Sequence, residues 1–214
     1  MALSKEVMAG LYRRRAEWYD VSANSYYLIG IRESAYRRRA VQALQLNPGD
    51  TVVEIGCGTG LNFELLQQRI GPRGKLVGID LTPEMLAKAD ERAARKGWSN
   101  VRLIQSDAAA FEFPRPLGGV ISTFALTLVP EYDRVIEKAA SALSRGKRMV
   151  IMDFKLPNWP VWLIHLFVVL TRPFGVTRDL GERHPWKSID RHLNRVLFEE
   201  HYFGSIYICA GEAG

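Results

Sequence analysis

The sequence predicts an α/β protein: a doubly wound sheet, mostly parallel, with helices on both faces. Three observations carry that reading. Strand-like and helix-like runs alternate between residues 50 and 155. The first strand runs directly into a glycine turn and then a helix. The next two strands each end in an acid, where a ligand would sit in such a sheet.

The first strand and its turn read Val52-Val53-Glu54-Ile55-Gly56-Cys57-Gly58-Thr59-Gly60. Glycine tolerates positive φ and has no Cβ, so the chain bends sharply here and a ligand can touch its backbone. Cys57 fits as a small residue within the turn. The helix pattern Leu61-Asn62-Phe63-Glu64-Leu65-Leu66 follows at once. A dinucleotide fingerprint would place a glycine where Leu61 stands. This chain instead has G-x-G-x-G with Glu54 two residues before the first glycine, and a ligand-free tight turn is the alternative.

The second strand, Lys75-Leu76-Val77-Gly78-Ile79-Asp80, ends 20 residues after Gly60. That is close to the offset of a ribose-binding carboxylate, which accepts hydrogen bonds from both ribose hydroxyls. Asp80, with Leu81 beside it, is therefore a cofactor candidate. Asp80 is equally placed to cap the helix starting near Pro83, a role for which Thr82 competes. A third strand, Val101 to Gln105, leads to Ser106-Asp107-Ala108, and Asp107 is either a ligand or a turn residue. The fourth strand covers Gly119 to Phe124 and presents Thr123 near its end. Helical periodicity covers Glu131 to Leu143, and a fifth strand runs from Arg148 to Asp153. Phe198 to Ala210 reads as a closing hairpin around Gly204.

The turn pattern and the acids at the next two strand ends resemble the motifs of class I methyltransferases that use S-adenosyl-L-methionine (SAM). The resemblance implies a Rossmann-like, seven-stranded sheet whose C-terminal hairpin forms an antiparallel edge. It implies SAM as cofactor. Glu54, Gly56, Cys57, Gly58, Gly60, Asp80, Leu81, Asp107, Ala108 and Thr123 become the expected cofactor-binding residues, with Asp107 on the adenine amino group.

Length and composition agree with a single domain. A chain of 214 residues, 47% hydrophobic, buries a single core. The two cysteines and four histidines match no zinc spacing and no disulfide framework, so no metal and a reducing cytoplasm are expected. The N-terminus lacks a signal-peptide stretch. The net charge is +6, with basic triplets at Arg13-Arg14-Arg15 and Arg37-Arg38-Arg39 around Trp18, Tyr19, Tyr26, Tyr27 and Tyr36. This favours an anionic partner, and a membrane surface over nucleic acid, since no nucleic-acid module is visible. An ordinary solvated helix face is the alternative. The apolar core Val161 to Leu170 is shorter than the roughly 20 residues needed to span a bilayer. Trp159, Trp162 and Arg172 around it suit a core helix or a membrane-facing pocket wall.

Tyr19-Asp20, Asn24, Leu28-Ile29-Gly30-Ile31 and Tyr36 to Val41 resemble the N-terminal region of ubiquinone/menaquinone C-methyltransferases. The run from Tyr12 to Gly30 is also similar to small bacterial enzymes that N-methylate phosphatidylethanolamine or betaine lipids. The resemblance implies residues 1–45 as a helical segment covering the active site. Residues 46–214 would form the SAM-binding domain, with a lipophilic insertion at about 156–190. It also implies a lipid or lipophilic substrate and peripheral membrane contact. A C-terminal region shorter than that of the quinone group places N-methylation of an amine head group first and C-methylation of a prenyl-quinone precursor second. Another small amphipathic metabolite is a further acceptor, and a SAM-binding regulatory subunit is the non-enzyme alternative.

Methyl transfer from a sulfonium is an in-line displacement, so the protein must align the acceptor and exclude water. An amine acceptor must be neutral at attack and becomes a cation. Tyr19, Tyr26 and Tyr27 would supply aromatic faces for that cation, although Tyr19 and Tyr26, seven apart, also suit one buried helix face. His184 is the candidate base and Asp153 the candidate for orienting an amine, with a surface residue and a cap as the alternatives.

Overall fold

The computed structural model describes residues 32–157, 160 and 183–214. Tyr19, Tyr26, Tyr27, the first basic triplet and the apolar core Val161 to Leu170 lie outside the described residues.

The described chain runs α1 (Glu33–Ala43), β1 (Thr51–Ile55), α2 (Phe63–Ile70), β2 (Lys75–Asp80), α3 (Pro83–Arg95), β3 (Val101–Gln105) and β4 (Leu117–Thr123). A 3-10 turn at Leu126–Leu128, α4 (Tyr132–Ala142), β5 (Leu143–Phe154), α5 (Pro185–His192), β6 (Asn194–His201) and β7 (Ile206–Glu212) complete it. One seven-stranded sheet has the order β3-β2-β1-β4-β5-β7-β6. The pairs among β3, β2, β1, β4 and β5 are parallel, whereas β7 is antiparallel to both β5 and β6. This is the expected doubly wound sheet with its antiparallel edge. β5 extends beyond Arg148–Asp153 at both ends, because Leu143 continues from α4 into the ladder and Phe154 pairs with Ile206.

Strand alternation sends successive side chains to opposite faces and so builds two cores. Val52, Leu76, Val150 and Met152 pack with Phe63, Leu66 and Leu86 from α2 and α3 and with Ala40 and Val41 from α1. Val53, Ile79, Met149 and Ile151 pack with Val135 and Ile136 from α4 and Ile189 from α5. All of β4 is buried, as a central parallel strand covered on both faces should be. Among the described residues, no helix is long and apolar enough to cross a membrane.

The Arg37–Arg39 triplet departs from the expected basic patch. Arg37 is 7% exposed and ion-paired with Glu33 one helical turn away, because α1 packs that face on the sheet. Arg39 pairs with Glu199 on β6. Arg38 alone of the three is exposed.

Candidate functional site

The carboxyl ends of β1, β2, β3 and β4 open onto a cleft of about 900 Å³, counting its open mouth. Its walls include Gly56 and Gly58 after β1, Asp80 to Thr82 after β2, Ser106 to Ala108 after β3, and Thr123 to Ala125 with Leu128 to Pro130 after β4.

The three glycines of the turn differ in what they do. All take positive φ: 64°, 53° and 77° at Gly56, Gly58 and Gly60. A Cβ on Gly56 would meet the Cβ of Ala125 at 2.3 Å, so this glycine lets the turns after β1 and β4 touch. Gly60 accommodates the ring of Phe63 at 2.7 Å from the same virtual atom, which is core packing. Gly58 lines the cleft and has no atom within 4 Å of that position, so a ligand can lie against its Cα. Gly58→Ala is therefore expected to cost about 1 kcal/mol of stability from the left-handed backbone alone. Its larger effect should be on SAM affinity, read by calorimetric titration, because the added methyl enters the cleft.

Asp80 ties two strand ends together. Its Oδ2 accepts the Gly58 N–H and its Oδ1 the Thr82 N–H, each at 2.9 Å. The carboxylate anchors the start of α3 and also lines the cleft. Thr82 occupies the helix N-cap position without a side-chain capping bond. Asp107 likewise caps its own turn, Oδ1 accepting the Ala109 N–H at 3.0 Å, while it faces the cleft with Ala108. Leu81, 37% exposed, and Thr123 complete the predicted residues on the walls.

Besides Gly60, four predicted residues sit elsewhere. Glu54 is 1% exposed behind the turn, with Oε1 accepting a 2.6 Å bond from Asn62 Nδ2. Cys57 contributes backbone to the turn, but its side chain is buried in the core, near enough to Gly78 that a Cβ there would meet Sγ at 2.9 Å. Asp153 is turned inward rather than toward an amine: it is 3% exposed and accepts the N–H groups of Thr127 and Phe154. His184 occupies the N-cap position of α5 with its ring 4.8 Å from that of Trp186, away from the cleft walls. For Cys57 and Asp153 a neighbour more than 20 residues away along the chain, Gly78 and Thr127 respectively, decides the direction of the side chain.

Sequence reasoning missed a buried polar network behind the cleft. Arg37 from α1 donates to Glu33, to Asn62 Oδ1 at 3.1 Å and to Thr123 Oγ1 at 2.7 Å. Asn62 in turn donates to Glu54 and, at 2.9 Å, to Thr123. The guanidinium also lies 5.6 Å from the ring of Phe124, a cleft residue held at φ 56°. The available signal was the Glu33/Arg37 spacing on one helix, but nothing local points it at Asn62.

Burial pushes the Glu54 carboxyl up to about 7, against the opposing influence of Asn62 and Arg37, while Asp80 adds to the rise. Burial also pushes Asp153 up to about 6. Folded carboxyls with raised pKa hold protons that the unfolded chain has already released. Their contribution to stability is present below about pH 4 and is lost as pH rises through 6 to 7. Each group should contribute a decline approaching about 1.4 kcal/mol per pH unit within its own window. Urea unfolding between pH 4.5 and 7.5 reads this slope, and Glu54→Gln should flatten the upper part; an unchanged slope would remove the assignment.

The cleft suits SAM by the groups on its walls: a Gly58 Cα that a ligand can lie against, a carboxylate held at the end of β2, and a second acid beyond β3. A family model described as a methyltransferase domain matches residues 46–168. The chain belongs to the class I SAM-dependent methyltransferases. The similarity extends to individual proteins. An arsenite methyltransferase from Halobacterium salinarum is 35% identical over 50% of this chain, which spans only 27% of that protein. A 2-phytyl-1,4-naphtoquinone methyltransferase from Thermosynechococcus vestitus is 29% identical over 84% of this chain and 80% of its own length. Geranyl diphosphate C-methyltransferase from Streptomyces coelicolor, solved with Mg2+, geranyl diphosphate and S-adenosyl-L-homocysteine (SAH), shares the fold. Its TM-score is 0.68 at 14% identity, over 85% of this chain and 79% of that one. The methyltransferase described here uses SAM, which supplies a methyl group already activated on sulfur.

Proposed function

We propose that this methyltransferase transfers its methyl group to a ring carbon of a lipophilic quinol of the prenylated or phytylated naphthoquinone class. The observation that carries this reading is the similarity to the Thermosynechococcus vestitus enzyme, which runs through most of both chains. That extent weighs against the length argument that placed amine lipids first, although the chain covers 54% of a demethylmenaquinone methyltransferase from Listeria monocytogenes.

The cleft supports the same reading. We assign the ribose hydroxyls to Asp80 at the end of β2 and the adenine amino group to Asp107 beyond β3. Gly56, Gly58 and Thr123 border the remainder of the cofactor. Since the sheet runs β3-β2-β1-β4, a cofactor so placed extends across β1 toward β4. The acceptor then approaches beside Phe124, Ala125, Leu128, Val129 and Pro130, an apolar surface that fits a hydrocarbon-bearing ring. Asp153 and His184, the groups expected to serve an amine, do not line it. The quinol carbon is itself the nucleophile: the C–CH3 bond forms as the S–CH3 bond breaks, SAH leaves, and the displaced ring proton passes to water at the cleft mouth.

Incubation with labelled SAM and a lipid extract containing demethylated naphthoquinol tests the assignment. Label on the quinone ring is the expected result. Label in an amine head group would promote N-methylation instead, and no label in any lipid would remove the lipophilic acceptor altogether.

A further inference from the structure

The turn after β4 is gripped from two sides through one peptide segment. Thr127, 1% exposed, donates its N–H to Asp153 Oδ2 at 2.9 Å. Its carbonyl accepts a bond from Arg183 Nη1 at 2.6 Å. Neither Asp153 nor Arg183 lines the cleft, yet Leu128, Val129 and Pro130, which follow Thr127 directly, do. We infer that Asp153 and Arg183 are positioning residues that together fix the Thr127 backbone and hence the acceptor-side wall. The acceptor-side role rests on the cofactor placement proposed above; the grip itself does not.

The local backbone gives this turn little hold of its own. The 3-10 segment Leu126–Leu128 is a single turn, closed by Leu128 N–H to Ala125 and Val129 N–H to Leu126, each at 3.0 Å. Such turns have poorer hydrogen-bond geometry than an α-helix and do not propagate. External anchors must therefore decide where the wall stands. The two anchors come from different elements. Asp153 is embedded in β5, opposite Tyr207 of β7, with Oδ1 occupied by the Phe154 N–H at 2.9 Å. Arg183 stands two residues before α5, which is fastened by Trp186 against Tyr207 at 4.9 Å between ring centroids. The adjacent His184 N–H donates to Tyr132 of α4 at 3.4 Å. An acceptor carboxylate for the N–H and a guanidinium for the C=O match the two polar ends of the segment, and charge-assisted bonds are the stronger kind.

The test uses the full chain with Arg183→Met and Arg183→Lys, a short-chain demethylated naphthoquinol as acceptor, and SAH as cofactor probe. Arg183→Met should raise the acceptor KM and speed amide exchange at Leu128 and Val129, each about tenfold, while the Kd for SAH stays within about twofold. Arg183→Lys, which still donates to the carbonyl, should recover most of both changes. Unchanged exchange at those two amides overturns the inference. So does faster exchange with an unchanged KM, or a rise in SAH Kd that matches the rise in KM. If the parent enzyme does not methylate the quinol, the acceptor proposal fails by itself. Exchange then still decides the grip: faster exchange at the two amides in Arg183→Met upholds it, and unchanged exchange overturns it.

Discussion

Arg37→Met is expected to lower folding stability by about 3–5 kcal/mol, the cost of removing one partner from a buried ion pair. The side chains of Arg37 and Glu33 are 9% and 11% exposed, with Nη2 and Oε1 2.6 Å apart. Removing the guanidinium leaves a carboxylate that packing keeps from water, and it deprives Asn62 and Thr123 of a donor. Urea unfolding at neutral pH reads the loss. The companion variant Glu33→Gln with Arg37→Met distinguishes an uncompensated charge from lost packing. Recovery of much of the stability would identify the charge as the cause, because replacing both members of a buried pair costs far less than breaking it. A loss below about 1 kcal/mol in the single variant would place this pair among surface-like bridges. SAM binding should weaken as well, since the same arginine holds Thr123 and lies against Phe124, both on the cleft wall.

Asp80→Ala is expected to weaken SAM binding by about 1–3 kcal/mol, roughly tenfold to a hundredfold, for loss of buried hydrogen bonds. Two effects act together. The variant removes the carboxylate assigned to the ribose, and it releases the Gly58 and Thr82 N–H groups that Asp80 now holds at 2.9 Å. Asp80→Asn separates them. Its amide oxygen can still accept one backbone N–H, so the turn should keep part of its shape while the charge is lost. Titration with SAM of the parent and both variants should rank Asp80→Ala weakest and Asp80→Asn between. Equal affinity in all three would remove Asp80 from the cofactor site.

Much of this arrangement was legible before any fold was known, and the reasons are local. A glycine that must take positive φ, a strand that must alternate or stay apolar, and a proline that opens α3 all announce themselves within a few residues. Gly56, Gly58, Asp80, Asp107, Ala108 and Thr123 reach one cleft because parallel strands deliver their carboxyl ends to one side of the sheet. Residues whose direction depends on a distant neighbour were harder to place. Cys57 and Gly60 belong to the same turn, but core packing against Gly78 and Phe63 takes both of them off the cleft wall. Asp153 ends a strand on the correct edge, but the N–H of Thr127, 26 residues earlier, turns its carboxyl inward.

The sequence by itself determined the fold class, the glycine turn after β1 and the acids after β2 and β3, and the methyltransferase reading followed from the family those motifs resemble. The motifs depend on the spacing of neighbours along the chain. Only the tertiary structure decided that the Arg37–Arg39 triplet is largely spent on internal pairing, that Glu54 stands behind the cofactor turn, and that Thr127 is held between Asp153 and Arg183. The physical reason is separation. Arg37 meets Thr123 across 86 residues and Arg183 meets Thr127 across 56, and contacts at such distances exist only after the sheet has brought its strands together.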